Sequence, residues 1–486
     1  MDSYYYIAIL ITMNITAFLI ARLYSNSSSD IYNHMAFIRS LDNRMVIKSS
    51  AFREKNTYPP LIHYMYGFIK RINLINYFSF IILTFNQLII YLWSLQYFNN
   101  TNSLILVAIS ILSTSLFIDL RSYNARIIGV LLFNILLLSS LSIESNGINL
   151  FWAIVASICI ILLVITSRFA HQMVFLFLLP SSIIYGQLYF IVIYFLTLLL
   201  VFTTNILNSK EVLLGHIKHL YYYYKRGVDF WLPGGYWREF NEPISKVTTI
   251  NFKRLVFILI KEPISILALL YLLYFFIFMD VPFSFTDTIL IFSIIFYIIV
   301  AISERLDNFI GDAYRYWEYI SLVLAASIID KISTYPMEKF KVSSELPVVI
   351  VFIFSFFCLY LFYSLNKMRK KLERENRLEN NRYIYEVINV LPYKNILTIP
   401  ISISNVFAVN TDKKYYYGYT YYGFWFLEKA GLYPYFKIKN NILNKSYIKT
   451  VIIDSTQVPD EFSKKITIEY GFTLYKEVGS YRIYLK

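Results

Sequence analysis

Residues 148–207 read INLFWAIVASICIILLVITSRFAHQMVFLFLLPSSIIYGQLYFIVIYFLTLLLVFTTNIL. Arg168 is the only formally charged side chain in this stretch. A helix that crosses the hydrocarbon core of a bilayer needs roughly 20 predominantly apolar residues. Three such runs follow one another here, at 148–165, 171–185 and 187–207, parted only by short polar breaks. The same reading upstream gives spans at 5–23, 75–98, 103–118 and 125–143, and downstream at 263–279, 283–302, 317–329 and 346–365. The fold class that follows is mainly α, a polytopic transmembrane bundle of about 11–12 spans.

Composition agrees with this. Of the 486 residues 57% are hydrophobic and only 16% charged, where a soluble domain carries about 25% charged residues. The net charge is +14, and since the spans are nearly uncharged it sits in loops and tail. Basic loops at a bilayer attract anionic or phosphorylated lipid, and they also follow from positive-inside bias alone. Cys159 and Cys358 both fall inside apolar runs, which argues against a disulfide framework. The opening residues lack a basic n-region and a small-residue cleavage site, so 5–23 reads as a retained span.

The pattern changes toward the C-terminus. Residues 367–382 are dense in charges of both signs and read as a juxtamembrane helix. From Tyr383 onward, 396–403, 451–454, 471–476 and 480–485 look like strands, the last two a hairpin, and 424–430 looks helical. The expected organisation is a transmembrane domain over 1–366, a charged linker over 367–382 and a small soluble α/β domain over 383–486.

Alternating the spans across the bilayer gathers the polar loops on one face: 24–73, 119–124, 166–170, 209–262 and 303–316. His34, His63, His171, His216 and His219 lie on or beside it, as do Arg53, Arg121, Arg126, Arg168, Arg305 and Arg315. The loop 209–262 interleaves aromatic with basic residues, which suits the head-group layer. In the first loop, a helix over 30–45 puts Ile31, Met35, Ile38, Leu41 and Met45 on one stripe, with Asp30 and His34 on that same stripe. A carboxylate and an imidazole turned toward protein or membrane are costly without partners. Asp30 therefore reads either as a general base, with His34 beside it or the two as a metal pair, or as the cap of the helix behind Ser27–Ser29.

Thr57-Tyr58-Pro59-Pro60-Leu61-Ile62-His63 is a stiff corner in which Pro60 opens a helix, with Arg53 and Glu54 just before it. Farther on, Arg305 and Arg315 offer paired donors for phosphate oxygens, or snorkel from an aromatic belt. Glu318 sits at the membrane boundary, where an ionisable group is a functional signal. No Walker A loop, GxGxxG, HExxH or paired CxxC occurs, so an ATP-driven pump or a nicotinamide enzyme is not indicated.

This order of features resembles the GT-C class of membrane glycosyltransferases, in particular its bacterial polysaccharide-assembly members. The resemblance rests on a first span, a long loop with the early acidic Asp30, then Tyr58-Pro59-Pro60-Leu61. It continues through Asn124-Ala125-Arg126, Ser167-Arg168-Phe169-Ala170-His171-Gln172, Gly311-Asp312 and Glu318-Tyr319. The resemblance implies transfer of a sugar from a polyprenyl-phosphate or polyprenyl-diphosphate donor to a glycan, lipid or protein acceptor on the extracytoplasmic face of the cell membrane. By that carry-over Asp30, with His34, is catalytic, and Arg126, Arg168, Arg305 and Arg315 hold the lipid phosphate. Arg53, Glu54, Tyr58, His63, His171, Asp312 and Glu318 complete the substrate-binding set. Some members need a divalent metal (Mg or Mn), and no second Asp-x-Asp marks one here. Expected partners are the lipid-linked sugar, membrane lipids and the acceptor, and not nucleic acid. The positive-inside rule would put this basic face in the cytoplasm, against the class plan; phosphate-binding loops are basic for their own reasons, and the class plan is preferred. The alternative is a non-enzymatic flippase or carrier of lipid-linked glycan, and a polymerase or ligase would share the transferase chemistry. A carrier needs polar residues along the middle of several spans, whereas here they gather at one surface.

Overall fold

A computed structural model of the chain describes residues 3–23, 38, 59–72, 74, 77–113, 115–116, 123, 125–147, 149–226, 252, 255–256, 259, 262, 264–278, 283–303, 306, 310, 313–334, 360, 382–399, 403–416, 443, 445–456, 458 and 460–486. The chain divides into two compact units, one made of Met1–Ser25, Pro59–Leu213 and Thr249–Lys370, the other of Asn26–Tyr58, Leu214–Thr248 and Lys371–Lys486.

The first unit is helical. Its elements are α1 (Ser3–Leu23), α2 (Leu61–Arg71), α3 (Phe78–Ser94), α4 (Asn100–Ser110), α5 (Ala125–Asn146), α6 (Leu150–Thr166), α7 (Arg168–Met173), a π-helical turn (Val174–Leu178), α8 (Leu179–Ile184), α9 (Leu188–Thr204), the first residues of α10 (Ser209–Arg226), which passes into the second unit at Leu214, α11 (Ile264–Phe278), α12 (Phe285–Ile302), a 3₁₀ turn (Ala313–Tyr316) and α13 (Trp317–Thr334). Each expected span that is described is built on a helix; of 346–365 only Tyr360 is described, as helical, and the helix expected at 424–430 lies outside the described residues. Ala125–Ser145 and Phe285–Ile302 are long and apolar enough to cross a membrane, and Leu188–Thr204 with Ile206–Ile217 would make a third if that bent pair is one span.

The sequence overestimates α4, which stops at Ser110 where a run to 118 is expected. The physical cause is polar. Ser110 Oγ turns back onto Val107 O, and the N–H of Ser115 is taken by the Glu262 carboxylate at 2.7 Å instead of by a helical carbonyl. The break expected over 166–170 shrinks to Ser167, whose Oγ caps α7 through the Ala170 N–H.

The helix α13 is the hub, packed against α4, α5, α11 and α12. Its sequence is apolar nearly all round, and its faces are buried accordingly. Small residues Ser321, Ala325, Ala326 and Ser327 let neighbours approach, and Ser321 Oγ donates to Ser110 O on α4 at 2.7 Å. Interhelical amides add a second tie. Asn14 of α1 donates to Gln87 of α3, and Asn134 of α5 donates to Asn86 of α3. The outer helices behave differently. On α9, Val192, Phe195, Leu196 and Leu199 recur at helical spacing and are all exposed, as are Leu150, Phe151, Ile154 and Ile158 on α6. Contiguous apolar stripes of this kind are intolerable in water and natural in lipid.

The second unit carries a five-stranded sheet in the order β2-β1-β3-β5-β4. The strands are β1 (Asn395–Ile399), β2 (Lys414–Tyr415), β3 (Thr450–Asp454), β4 (Thr473–Val478) and β5 (Tyr481–Leu485). The helices α14 (Arg382–Asn389), α15 (Ser404–Asn410) and α16 (Asp460–Tyr470) complete it. β1 runs parallel to β2 and β3, while β5 is antiparallel to β3 and β4. The β4–β5 hairpin turns at Gly479, whose φ of 59° suits a residue without a Cβ. At its centre, around β3, the sheet is covered on both faces, while the edge strand β4 is largely exposed. Phe407 of α15 meets the Tyr481 ring on one, and Asp460 of α16 pairs with Arg482 on the other. That explains why Val451, Ile452, Ile453 and Asp454 are all buried and why β3 reads as a continuous apolar run.

Candidate active site

Segments named from the sequence converge at one end of the first unit. The chain enters α2 through the buried prolines Pro59 and Pro60, and Pro60 O accepts from the N–H groups of His63 and Tyr64. This is the helix opening expected of a Pro-Pro corner. His63 falls on the buried face of α2 with Ile62, Tyr66 and Ile69. Leu61 packs on Val164, Ile165 and Val201, so α2 lies against the ends of α6 and α9. Tyr123 locks the other side, donating from Oη to Ile62 O while its ring meets Tyr66 and Phe78.

The closest approach is made by a glycine. A Cβ built on Gly129 of α5 would stand 2.7 Å from Ser167 Cβ, 2.8 Å from Ser167 Oγ and 2.9 Å from Ala170 Cβ. Only a hydrogen fits. This contact brings the first turn of α5, with half-buried Arg126, beside the start of α7, with half-buried Arg168. Three residues past Arg168, His171 Nε2 lies 3.0 Å from Tyr194 Oη on α9. The following Gln172 donates to Ile310 O at 2.9 Å and so ties α7 to the segment before α13. Phe169 reinforces that link, its ring 5.6 Å from Tyr316 and 5.7 Å from Tyr319. The 3₁₀ turn presents Arg315, held by Nε on Tyr314 Oη at 3.3 Å, and α13 begins with buried Glu318 in its first turn. Arg126, Arg168, His171, Arg315 and Glu318 are thus gathered by neighbouring elements. Asp30, His34, Arg53, Glu54, Tyr58, Arg305 and Asp312 lie outside the described residues, and of the expected helix over 30–45 only Ile38 is described, as helical.

The sequence reading missed Glu262 and Ser115. Glu262 is fully buried; it accepts from the Ser115 N–H and Oγ, and Ser115 Oγ also reaches Tyr314 O at 3.4 Å. A carboxylate therefore stands beside the turn that carries Arg315. The available signal was an acidic residue directly before Pro263 and an apolar run. Gly129 was missed as well, although a glycine inside an apolar helix is a mark of close backbone approach. Among the described residues no group of His, Cys, Asp and Glu could hold a metal ion.

Arrayed guanidiniums at the N-terminal ends of the long helices α5 and α13 suit an anion with several oxygens, since Arg offers paired donors and the helix start adds positive potential. Gly129→Ala tests the arrangement. An exposed helix would gain up to about 1 kcal/mol from this change. Here the clash with Ser167 and Ala170 wins, and the expected result is a loss of roughly 1–3 kcal/mol, read as a lower Tm in detergent. A higher Tm would show that α5 and α7 separate without cost.

No protein-family model matches the sequence, and no curated protein matches it by sequence. Solved structures do match in fold. ArnT from Cupriavidus metallidurans, bound to undecaprenyl phosphate, superposes with a TM-score of 0.56 at 8% identity, over 99% of this chain and 98% of that one. The archaeal oligosaccharyltransferase AglB from Archaeoglobus fulgidus, in complex with an inhibitory peptide and a dolichol-phosphate, gives 0.52 at 11% identity, over 98% of this chain and 74% of that one. At such identities the likeness is one of fold. The fold these structures share with the chain is of the GT-C type.

Proposed function

We propose that this protein is a multi-pass membrane glycosyltransferase that moves a sugar from a polyprenyl-phosphate or polyprenyl-diphosphate donor to a glycan, lipid or protein acceptor at the extracytoplasmic face. The observation that carries this reading is the gathering of Arg126, Arg168 and Arg315 at one end of a GT-C fold. The donor class draws on two neighbours whose structures hold a lipid phosphate.

In the proposed reaction the acceptor hydroxyl attacks the anomeric carbon and passes its proton to Asp30, with His34 alongside. The bond from that carbon to the phosphate oxygen breaks, and the electron pair leaves with the lipid phosphate. Arg126, Arg168, Arg305 and Arg315 neutralise the charge that grows there. Fixed donors aimed at developing charge are usually the largest catalytic contribution. Arg53, Glu54, Tyr58, His63, His171, Asp312 and Glu318 form the surrounding substrate-binding set.

The test is release of polyprenyl phosphate or diphosphate from a panel of lipid-linked sugars by protein in native-lipid nanodiscs. Turnover of one donor supports the transferase. Binding of lipid-linked glycan without cleavage of any donor would favour a carrier instead. Arg168→Gln is expected to lower kcat/KM by roughly 10²–10³-fold, the usual cost of losing one charge-stabilising donor. An unchanged kcat/KM would remove Arg168 from the phosphate site.

A further inference from the structure

One end of the sheet in the second unit concentrates lysine. β1, β2 and β3 all begin there, β4 begins there and β5 ends there. The loops at these positions carry Lys394, Lys413, Lys414, Lys445, Lys449 and Lys486. Their backbones are direct neighbours: Lys414 N donates to Lys394 O at 2.9 Å, and Lys486 N donates to Lys449 O at 3.0 Å. Lys413 has a local task, donating to Leu391 O at the end of α14, and Lys486 lies over the Phe472 ring. Lys394, Lys414, Lys445 and Lys449 make no side-chain hydrogen bond or ion pair among the described residues. Among the described residues the carboxylates near them are few. Asp412 lies in the β2 loop, and Glu386 and Glu469 lie near the ends of α14 and α16. Crowding is felt: burial and the neighbouring Lys394 hold Lys413 below the ordinary lysine value.

Among these lysines stand apolar side chains that the domain does not use. Val390 is 75% exposed, Tyr447 49% and Tyr393 37%, although each is placed by a loop that is itself well anchored. Tyr393 Oη donates to Lys486 O, and the Tyr447 ring packs on Tyr416. The opposite end of the sheet is different in kind, with Asp454, Asp460 and Glu477 grouped around Arg482. The domain's two ends thus differ in kind, one a rim of lysines with exposed apolar side chains, the other a set of carboxylates paired with Arg482.

We infer that the lysine-and-aromatic rim formed by the loops at 390–394, 412–414, 445–449 and 486 is a docking surface for anionic phospholipid head groups. Tyrosine and an exposed aliphatic residue flanked by lysine suit the interfacial layer of a bilayer, where the ring sits at head-group depth and the ammonium meets phosphate. The chain's own apolar helices keep a bilayer within reach of this domain, so the encounter is intramolecular in effect. An acidic glycan or peptide would satisfy the lysines but would leave Val390, Tyr393 and Tyr447 in water.

The experiment uses the full chain in nanodiscs. Cys159 and Cys358 are replaced by alanine, and Val390→Cys carries an environment-sensitive dye. In discs containing phosphatidylglycerol the emission is expected to shift to the blue and to be quenched by spin-labelled lipid; in pure phosphatidylcholine it is not. Each lysine near an anionic surface is worth about fivefold in the docked-to-undocked ratio, so Lys394→Gln with Lys445→Gln should lower it roughly 25-fold. Raising the salt should release the unmutated rim in the same way, which guards against a folding defect in the variant. Equal emission in both kinds of disc would overturn the inference. So would a response to soluble polygalacturonate or polyglutamate in place of lipid.

Discussion

Asp30→Asn is expected to reduce turnover of the lipid-linked donor by about 10²–10⁴-fold, the range that a positioned general base contributes. The choice of asparagine separates the two readings of this residue. Asn caps a helix about as well as Asp, because its side-chain oxygen still accepts from the N–H groups of the first turn. It cannot take a proton from an acceptor hydroxyl. A variant that keeps its Tm and still binds lipid-linked donor, yet does not release the polyprenyl phosphate, therefore locates the base at Asp30. Asp30→Ala serves as the second arm, since it removes the cap as well and should cost a further ~1 kcal/mol of stability. Should Asp30→Asn turn over at the wild-type rate, Asp30 is only the cap of the helix that follows Ser27–Ser29, and the proton goes elsewhere.

Much of this architecture is legible in the sequence because lipid imposes simple rules. Apolar runs such as 148–165 and 187–207 have nowhere to go but helices, and α6 and α9 appear within a few residues of them. The strands β3 and β5 and the turn between β4 and β5 are equally plain from β-branched runs and a glycine. Helix ends are less legible. Ser110 at the end of α4 turns its Oγ back onto Val107 O, and Ser167 after α6 turns its Oγ to the Ala170 N–H, local choices that an apolar run does not announce. The order of Arg126, Arg168, Arg315 and Glu318 along the chain does anticipate their gathering. The device that gathers them, Gly129 against Ser167 and Ala170, is a contact between two helices and leaves only a single glycine as its trace. Glu262 illustrates the same limit, since its partner Ser115 is 147 residues away.

The opposite end of the bundle holds a buried ion pair. Lys331 carries the cation of that pair. It lies inside α13, and its Nζ meets Asp287 Oδ2 at 2.8 Å with both side chains almost wholly buried. Asp287 is heavily engaged: it completes a capping box with Ser284 at the start of α12, and it accepts from Tyr271 Oη of α11 at 3.2 Å. One carboxylate thus joins α11, α12 and α13. Lys331→Met leaves that carboxylate buried without its ammonium and is expected to cost about 3–5 kcal/mol, the penalty for breaking a buried pair from one side. The Tm in detergent should fall accordingly. Asp287→Asn is expected to cost less. The amide still accepts from Ser284, and Lys331 can turn to Asp330, whose carboxylate is 3.6 Å away and reaches solvent. The asymmetry between the two variants is the discriminating result. Equal losses would mean that the pair acts only as a packing element, its charges cancelled by water that enters from the nearby surface. A larger loss for Asp287→Asn would place the weight on the capping box instead of the ion pair. If Lys331→Met dominates, combining it with Asp287→Asn should recover part of the loss, because a neutral pair no longer holds an uncompensated charge in the bundle.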